Sequence, residues 1–424
     1  MWKQFRRYKV GVAAFTCVVL FFLIGLYAPF FASSKPFVVL WKGHFYFPFF
    51  RYLFYPGFYT KPIDLFYNLL MFTFPIAMVG LFLFKARKRK MFLFSLAALQ
   101  LILFAWIVSG GVKDPEQDEE IRALNQVVRY SLRKAQHERL GHARLRFQKE
   151  TGHEMPTLFA IDQRNGQKEI ETPSLQWMIP ALVRPFHWEE NAGGSQLMNQ
   201  YVPWWELTRI NRKDLFASLL FGVRISLFVG IAAVAIGLMI GIPLGTVAGY
   251  FAGKVDLVIF RGIEIWEAMP TFFMLLLIVA ITQHKSLFLV IIVLGLFGWT
   301  SFSRFIRGEV LKQRELCYVL ACKGLGYPAR RIMFGHILPN AISPILTLLP
   351  FAMMGAISSE AALSFLGLGE EGATSWGVLM DEGRSVFPGE SYLLWPPALL
   401  LTIVLIAIAL VGDTLRDALD PKLR

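Results

Sequence analysis

The chain has 424 residues, 55% of them hydrophobic and only 17% charged, and it carries a formal net charge of +13. That apolar share exceeds what a soluble core can hide, and it is gathered into runs of about 20 residues, the length that crosses a bilayer. A nucleic-acid partner is set aside despite the excess of cations, because they stand mostly at the ends of the apolar runs, where they orient spans.

The basic start MWKQFRRYK precedes the run Val10 to Phe31, whose length marks an anchor rather than a cleaved signal peptide. An external segment then completes a first unit, residues 1–62; its stretch FYFPFFRYLFYPGFY is aromatic enough for an interfacial belt. Residues 63–109 read as a transmembrane hairpin, Leu65 to Phe84 and Met91 to Val108, joined by KARKRK, whose five cations put its tip in the cytoplasm. Residues 110–213 change to a soluble composition, fifteen Lys/Arg against fourteen Asp/Glu. Within them Ile121, Leu124, Val128 and Ala135 recur near helical spacing, so the expectation is a partly helical extracytoplasmic insert. His137, His142 and His153 do not share the spacing of a ligand pair on one turn, and no metal is assigned.

Residues 214–424 hold five further spans: Ile225 to Ala248, Ile263 to Ile281, Leu287 to Ser303, Ala341 to Leu368 and Leu393 to Val411. Between Arg304 and Arg331 seven Lys/Arg face two Glu, whereas Gly369 to Tyr392 holds one Arg against five acids. The first connector is therefore cytoplasmic and the second external, and eight spans leave both termini inside. The expected fold is an all-α polytopic membrane protein of about eight transmembrane helices.

Catalytic and ligand motifs are sparse. GYFAGKV, Gly249 to Val255, lacks the glycine spacing and the Ser/Thr of a phosphate loop, so the chain should not bind ATP itself. No GxSxG or HExxH occurs, and Cys17, Cys317 and Cys322 form neither a metal site nor a disulfide framework. Ionisable residues in or beside the spans are few: Arg224, Arg261, Glu264, Glu267 and Glu360. Such groups face a protein interior or a water-filled path. Arg261 and Glu264 have ion-pair spacing, so a structural pair and a substrate contact both stay open. Glu360, preceded by Ser358 and Ser359, leaves pathway lining and interhelical hydrogen bonding open.

One basic segment has a local grammar of its own. If Cys317 to Leu325 is helical, Gly326 can end it in the left-handed region, and Pro328 then opens a further turn with Arg330 and Arg331. Small residues at Ala321, Gly324 and Gly326 beside cations suit docking into another protein, while a plain orienting loop accounts for the cations equally well.

The stretch YVLACKGLGYPARRIMFGHILPN resembles the cytoplasmic loop of permease subunits of bacterial ATP-binding-cassette (ABC) importers: Glu-Ala-Ala, three residues, Gly, nine residues, Ile-x-Leu-Pro. Leu320, Ala321 and Cys322 stand at the first positions, Gly326 at the glycine, His336 at the isoleucine, and Leu338 and Pro339 at the end. LLFGVRISLFVGI, IPLGTVAGYFAGKVD, SEAALSFLGLG, TSWGVLMDEGR and VGDTLRDALDPKLR, from about Asp214 to Arg424, are similar to the C-type permease of the dipeptide and oligopeptide branch. The resemblance implies a type I ABC importer transmembrane domain at residues 214–424, with its coupling loop at about 304–340. By the same token this subunit would pair with a homologous second permease in the inner membrane. Two ATPase subunits would dock on Ala321, Cys322, Lys323, Gly324, Gly326, Tyr327, Arg330, Arg331, Leu338 and Pro339, and an extracytoplasmic binding protein would deliver the substrate. ATP and magnesium would sit on the ATPases, and this chain would bind no cofactor. The implied substrate is a di- or oligopeptide, with nickel chelates and glutathione as alternatives. A channel or ion-coupled transporter would instead use Glu264, Glu267, Glu360 and Ser358.

Overall fold

The computed structural model describes residues 2–152, 175–190, 199–389 and 391–419. Helices long and apolar enough to cross a membrane begin with α1 (Lys9–Leu26), α2 (Pro62–Leu83) and α3 (Ala86–Trp106). The polar helices α4 (Glu119–Arg139) and α5 (Gly141–Thr151) follow, and then the 37-residue α6 (Leu215–Phe251). Next come α7 (Gly253–Glu267), α8 (Thr271–Thr282), α9 (Leu287–Gln313), the short α10 (Cys317–Gly324), α11 (Leu349–Leu363), α12 (Trp376–Ser385) and α13 (Trp395–Leu419).

Among the described residues seven helices are long and apolar enough to span, and eight if α7 and α8, bent by 66° at their junction, count as one broken span. The span expected over Ile263 to Ile281 is broken within it. Pro270 carries no N–H and forces Met269 away from helical dihedrals, so α7 stops at Glu267 and a new helix begins at Thr271.

At 1.5 Å per residue α6 is about 55 Å long, well beyond the roughly 30 Å hydrocarbon layer. Its start is capped by Asp214, whose Oδ1 accepts the Ala217 N–H at 2.7 Å. Its second half lies against α9 along a seam of glycines four residues apart. A Cβ at Gly241 would sit 2.5 Å from the Trp299 carbonyl oxygen, and one at Gly249 would sit 2.8 Å from that of Arg307. Only hydrogen fits there, and dispersion between the two backbones replaces the hydrophobic drive that lipid does not supply.

The described polar residues after the hairpin pack with the segment before it. Strands β1 (Val38–Trp41), β2 (His44–Tyr46) and β3 (Trp177–Ile179) form an antiparallel sheet in the order β2-β1-β3, with Leu40 opposite both Phe45 and Trp177. The apolar stripe of α4 packs on it: Leu124, Val127, Val128 and Leu132 are buried with Val39 and Trp41. Segments on both sides of the α2–α3 hairpin thus build one domain. The aromatic stretch is its second core, since Phe49, Tyr52, Leu53, Phe58 and Tyr59 are all buried. The rings expected as an interfacial belt divide: these pack on one another and on the ends of the helices, whereas Phe45, Phe47 and Phe50 stay exposed. Of the histidines weighed as metal ligands, His142 is exposed on α5 and His153 lies outside the described residues.

The two ends of the bundle differ. The polar domain meets the start of α6 and of α9, whereas α10 and the basic connectors lie at their far ends. Gly11 near the start of α1 lies against Thr414 near the end of α13, so those two helix ends are neighbours.

Candidate functional site

At the α10 end the backbone follows from local chemistry. The helix closes with paired bonds, Tyr327 N–H to the Cys322 carbonyl at 3.1 Å and Gly326 N–H to that of Lys323 at 3.0 Å, with Gly326 at φ 74°. This double closure requires a left-handed residue, which glycine occupies without strain. Pro328 then leads into the turn Ala329–Arg331, and the helix widens to π geometry over Ile332–Ile337. The widening precedes Pro339, which has no N–H to bond back and whose ring crowds the preceding turn.

One side of this loop is anchored and the other is open. Val319, Ile332 and Ile337 are buried against Ile306 and Val310 of α9, so the loop and that helix share one core. Ala321, Lys323, Gly324, Gly326, Arg330, Arg331 and Pro339 are exposed, while Cys322, Tyr327 and Leu338 are half-buried. Tyr327 stacks on His336 at 5.8 Å, with the Arg331 guanidinium 4.5 Å from its ring centre. Among the described residues nothing lies within 4 Å of where a Cβ would stand at Gly324 or Gly326, and Lys323, Arg330 and Arg331 have no carboxylate partner.

The carboxylates weighed as pathway residues divide. Glu264 pairs with Arg261 at 2.6 Å on the exposed face of α7, and Glu267 takes both Arg304 nitrogens, at 3.2 and 2.5 Å, tying α7 to α9. Asp256 and Arg307, with two bonds of 2.5 Å, make a second tie between the same helices. Glu360 is 1% exposed; its Oε1 accepts the Ser364 hydroxyl at 2.7 Å, and its Oε2 has no partner. Ser358 is half-buried on the same helix.

Sequence reasoning listed Arg224 without a partner. The fully buried guanidinium donates to the Gly25 carbonyl at 2.7 Å, the Leu26 carbonyl at 3.2 Å, Asp64 Oδ1 at 3.1 Å and Asn68 Oδ1 at 3.0 Å. It therefore fastens α1 and α2 to α6. The signal was present in Asp64 and Asn68, two polar residues at the start of an apolar run.

At the polar-domain end, Lys61 donates to Glu370 Oε1 at 2.7 Å while Glu370 Oε2 accepts the Leu287 N–H at 3.0 Å. Arg209 grips Glu382 through two nitrogens, at 2.9 and 2.5 Å. The domain is thereby held to the loop before α12 and to α12 itself, the acidic connector of the last spans.

Apolar helices of spanning length fastened by the buried Arg224–Asp64 pair, with an exposed basic loop at one end and a polar domain at the other, define a polytopic membrane protein. Residues 241–424 match the family described as binding-protein-dependent transport system inner membrane component. The chain belongs to that family and is a multi-pass inner-membrane permease subunit of an ABC importer, not an ATPase. It is 35% identical over 253 residues to the oligopeptide transport system permease protein OppC of Bacillus subtilis, covering 58% of this chain and 82% of that one. The dipeptide transport system permease protein DppC of the same organism is 34% identical over 253 residues, with 58% and 78% covered. The glutathione transport system permease protein GsiD of Pectobacterium atrosepticum is 36% identical over 213 residues, with 50% and 70% covered.

Proposed function

We propose that this chain and a homologous second permease form the path for uptake of di- or oligopeptides, powered by ATP hydrolysis in two partner subunits that dock on the α10 loop. The observation that carries the reading is the two-sided loop: its inner face shares a core with α9, and its outer face offers glycines and unpaired cations to open space. Small residues there allow close approach of a partner helix, and the cations complement an acidic rim. A displacement of the loop reaches α9 through Val319 and Ile332, and α6 through the glycine seam, so two states of the ATPase pair can bias two states of the bundle. The α10 end, both termini and KARKRK face the cytoplasm in this arrangement, and the polar domain faces the substrate-binding protein. Glutathione, itself a tripeptide, falls within the same substrate class. The test is uptake of labelled di- and tripeptides by vesicles carrying the complete complex with its binding protein and ATPases. ATP-dependent accumulation supports the reading, and accumulation indifferent to ATP refutes it.

A further inference from the structure

The polar domain borders an open cleft of about 590 Å³ that the transport reading leaves unused. It lies where the domain meets the permease body: Lys35, Tyr52 and Phe58 come from the domain's aromatic core, Glu189 from the segment after β3, and Glu371 from the connector before α12. Its size is that of a small-molecule pocket.

Some charges in its wall pair with each other, Arg129 with Glu116 at 3.6 Å and with Glu190 at 3.8 Å, but Lys35, Lys213 and Glu189 have no direct counter-charge among the described residues. Lys35 is 2% exposed, yet its ammonium has no carboxylate partner among the described residues; it touches Asn125 Oδ1 at 3.3 Å and lies 4.0 Å from the Tyr52 ring centre. Lys213 likewise pairs with no carboxylate and rests against the Trp188 ring. On the opposite sign, Glu189 is bonded by the Thr60 hydroxyl and N–H and by no cation. A neighbouring cleft of about 180 Å³ shares Arg129 and Glu190 with the first and is lined by Ser34, whose buried hydroxyl has no partner. A buried ammonium and half-buried charges of both signs without direct counter-charges are costly, and are compensated when a ligand brings the two complements. Burial depresses the Lys35 ammonium to about 8 and lifts the Glu189 carboxyl to about 7, the signature of groups in want of a counter-charge.

We propose that this cleft binds a small zwitterion, a di- or tripeptide with free termini, its carboxylate toward Lys35 and Lys213 and its ammonium toward Glu189. The proposal rests on the peptide-uptake reading for the choice of ligand. Tyr52, Tyr55 and Phe58 provide the apolar wall for its side chains. Because Glu371 and the Lys61–Glu370 pair belong to the same junction, an occupied cleft joins the domain to the connector of the last two spans.

The test is equilibrium binding of radiolabelled tri-alanine to the purified full chain, without binding protein or ATPases, alongside N-acetylated tri-alanine and tri-alanine amide. Binding of the free peptide, weakened about tenfold or more by blocking either terminus and by Lys35→Met, is expected. Lys35 is deeply packed, so Lys213→Gln and Glu189→Gln, at half-buried positions, are measured with it, each checked for unchanged thermal unfolding. Absence of tri-alanine binding to the wild-type chain, or equal binding of the blocked peptides, overturns the proposal. So do unchanged affinities in the two half-buried variants. Vesicle uptake separates the two readings: peptide uptake without binding to the isolated chain refutes this site alone, and binding without peptide uptake refutes the transport reading alone.

Discussion

Replacing Arg224 by methionine should unfasten α1 and α2 from the body of the permease. The guanidinium is fully buried and supplies hydrogen bonds to two carbonyls at the end of α1 and to Asp64 and Asn68 on α2. Methionine fills much of the same volume but leaves the Asp64 carboxylate without its cation. Breaking one partner out of a buried pair costs about 3–5 kcal/mol. With a few degrees of melting temperature per kcal/mol in domains of this scale, the purified protein should unfold about 10 °C lower. The assay is thermal unfolding in detergent, followed by limited proteolysis at the KARKRK tip, which should become accessible earlier in the variant. The double variant Arg224→Met/Asp64→Leu removes both charges, and apolar replacement of a buried pair is often neutral, so it should regain most of the loss. A single variant that melts with the wild type, or a double variant as unstable as the single one, would refute the reasoning.

Three other outcomes are expected. Gly326→Asp should abolish ATP-driven uptake while membrane insertion and melting stay near wild type: its Cβ meets nothing within the chain, so the cost, about 1–2 kcal/mol of backbone strain, is too small to unfold it. Normal uptake would sink the docking role. Gly241→Val should separate α6 from α9 and prevent recovery of folded protein, because its Cβ would lie 2.5 Å from the Trp299 carbonyl oxygen; a variant with wild-type melting would contradict the seam. Binding of tri-alanine should be strongest near about pH 7.5, since Glu189 loses its charge as pH falls through about 7 and Lys35 loses its proton as pH rises through about 8. Glu190, Arg129, Glu116 and Asp114 act on Lys35, and Thr60, Asp64 and Lys213 on Glu189; Thr60 bonds Glu189 directly, but none of these supplies a direct counter-charge. Affinity that is flat across that window would exclude both groups from the site.

What the sequence disclosed depended on the range of the forces involved. The closure of α10 at Gly326 and the turn after Pro328 are local chemistry, readable from a few residues. The break at Met269–Pro270 was equally local, but hydropathy averages over a proline and reports one span. The tie from Arg224 to Asp64 joins residues 160 positions apart, and nothing near either one names the other. The aromatic run shows the limit of composition: the exposed rings of Phe45, Phe47 and Phe50 and the buried rings of Phe49, Tyr52 and Phe58 have the same letters, and only tertiary packing separates them. The cleft was illegible for the same reason, since Lys35, Glu189 and Glu371 meet only after the hairpin, the sheet and the last spans are in place.

The pairing of Leu40 with Trp177 sets an order of events during synthesis. β1 leaves the ribosome early, but its partner emerges only after the hairpin α2–α3 and the whole of α4. Until then β1 has only its short hairpin with β2, and two strands alone are marginal in water. Because the hairpin lies between the two paired strands, membrane insertion comes first and closure of the sheet second. A pause in translation before β3 would therefore leave a membrane-inserted chain whose polar domain is still open.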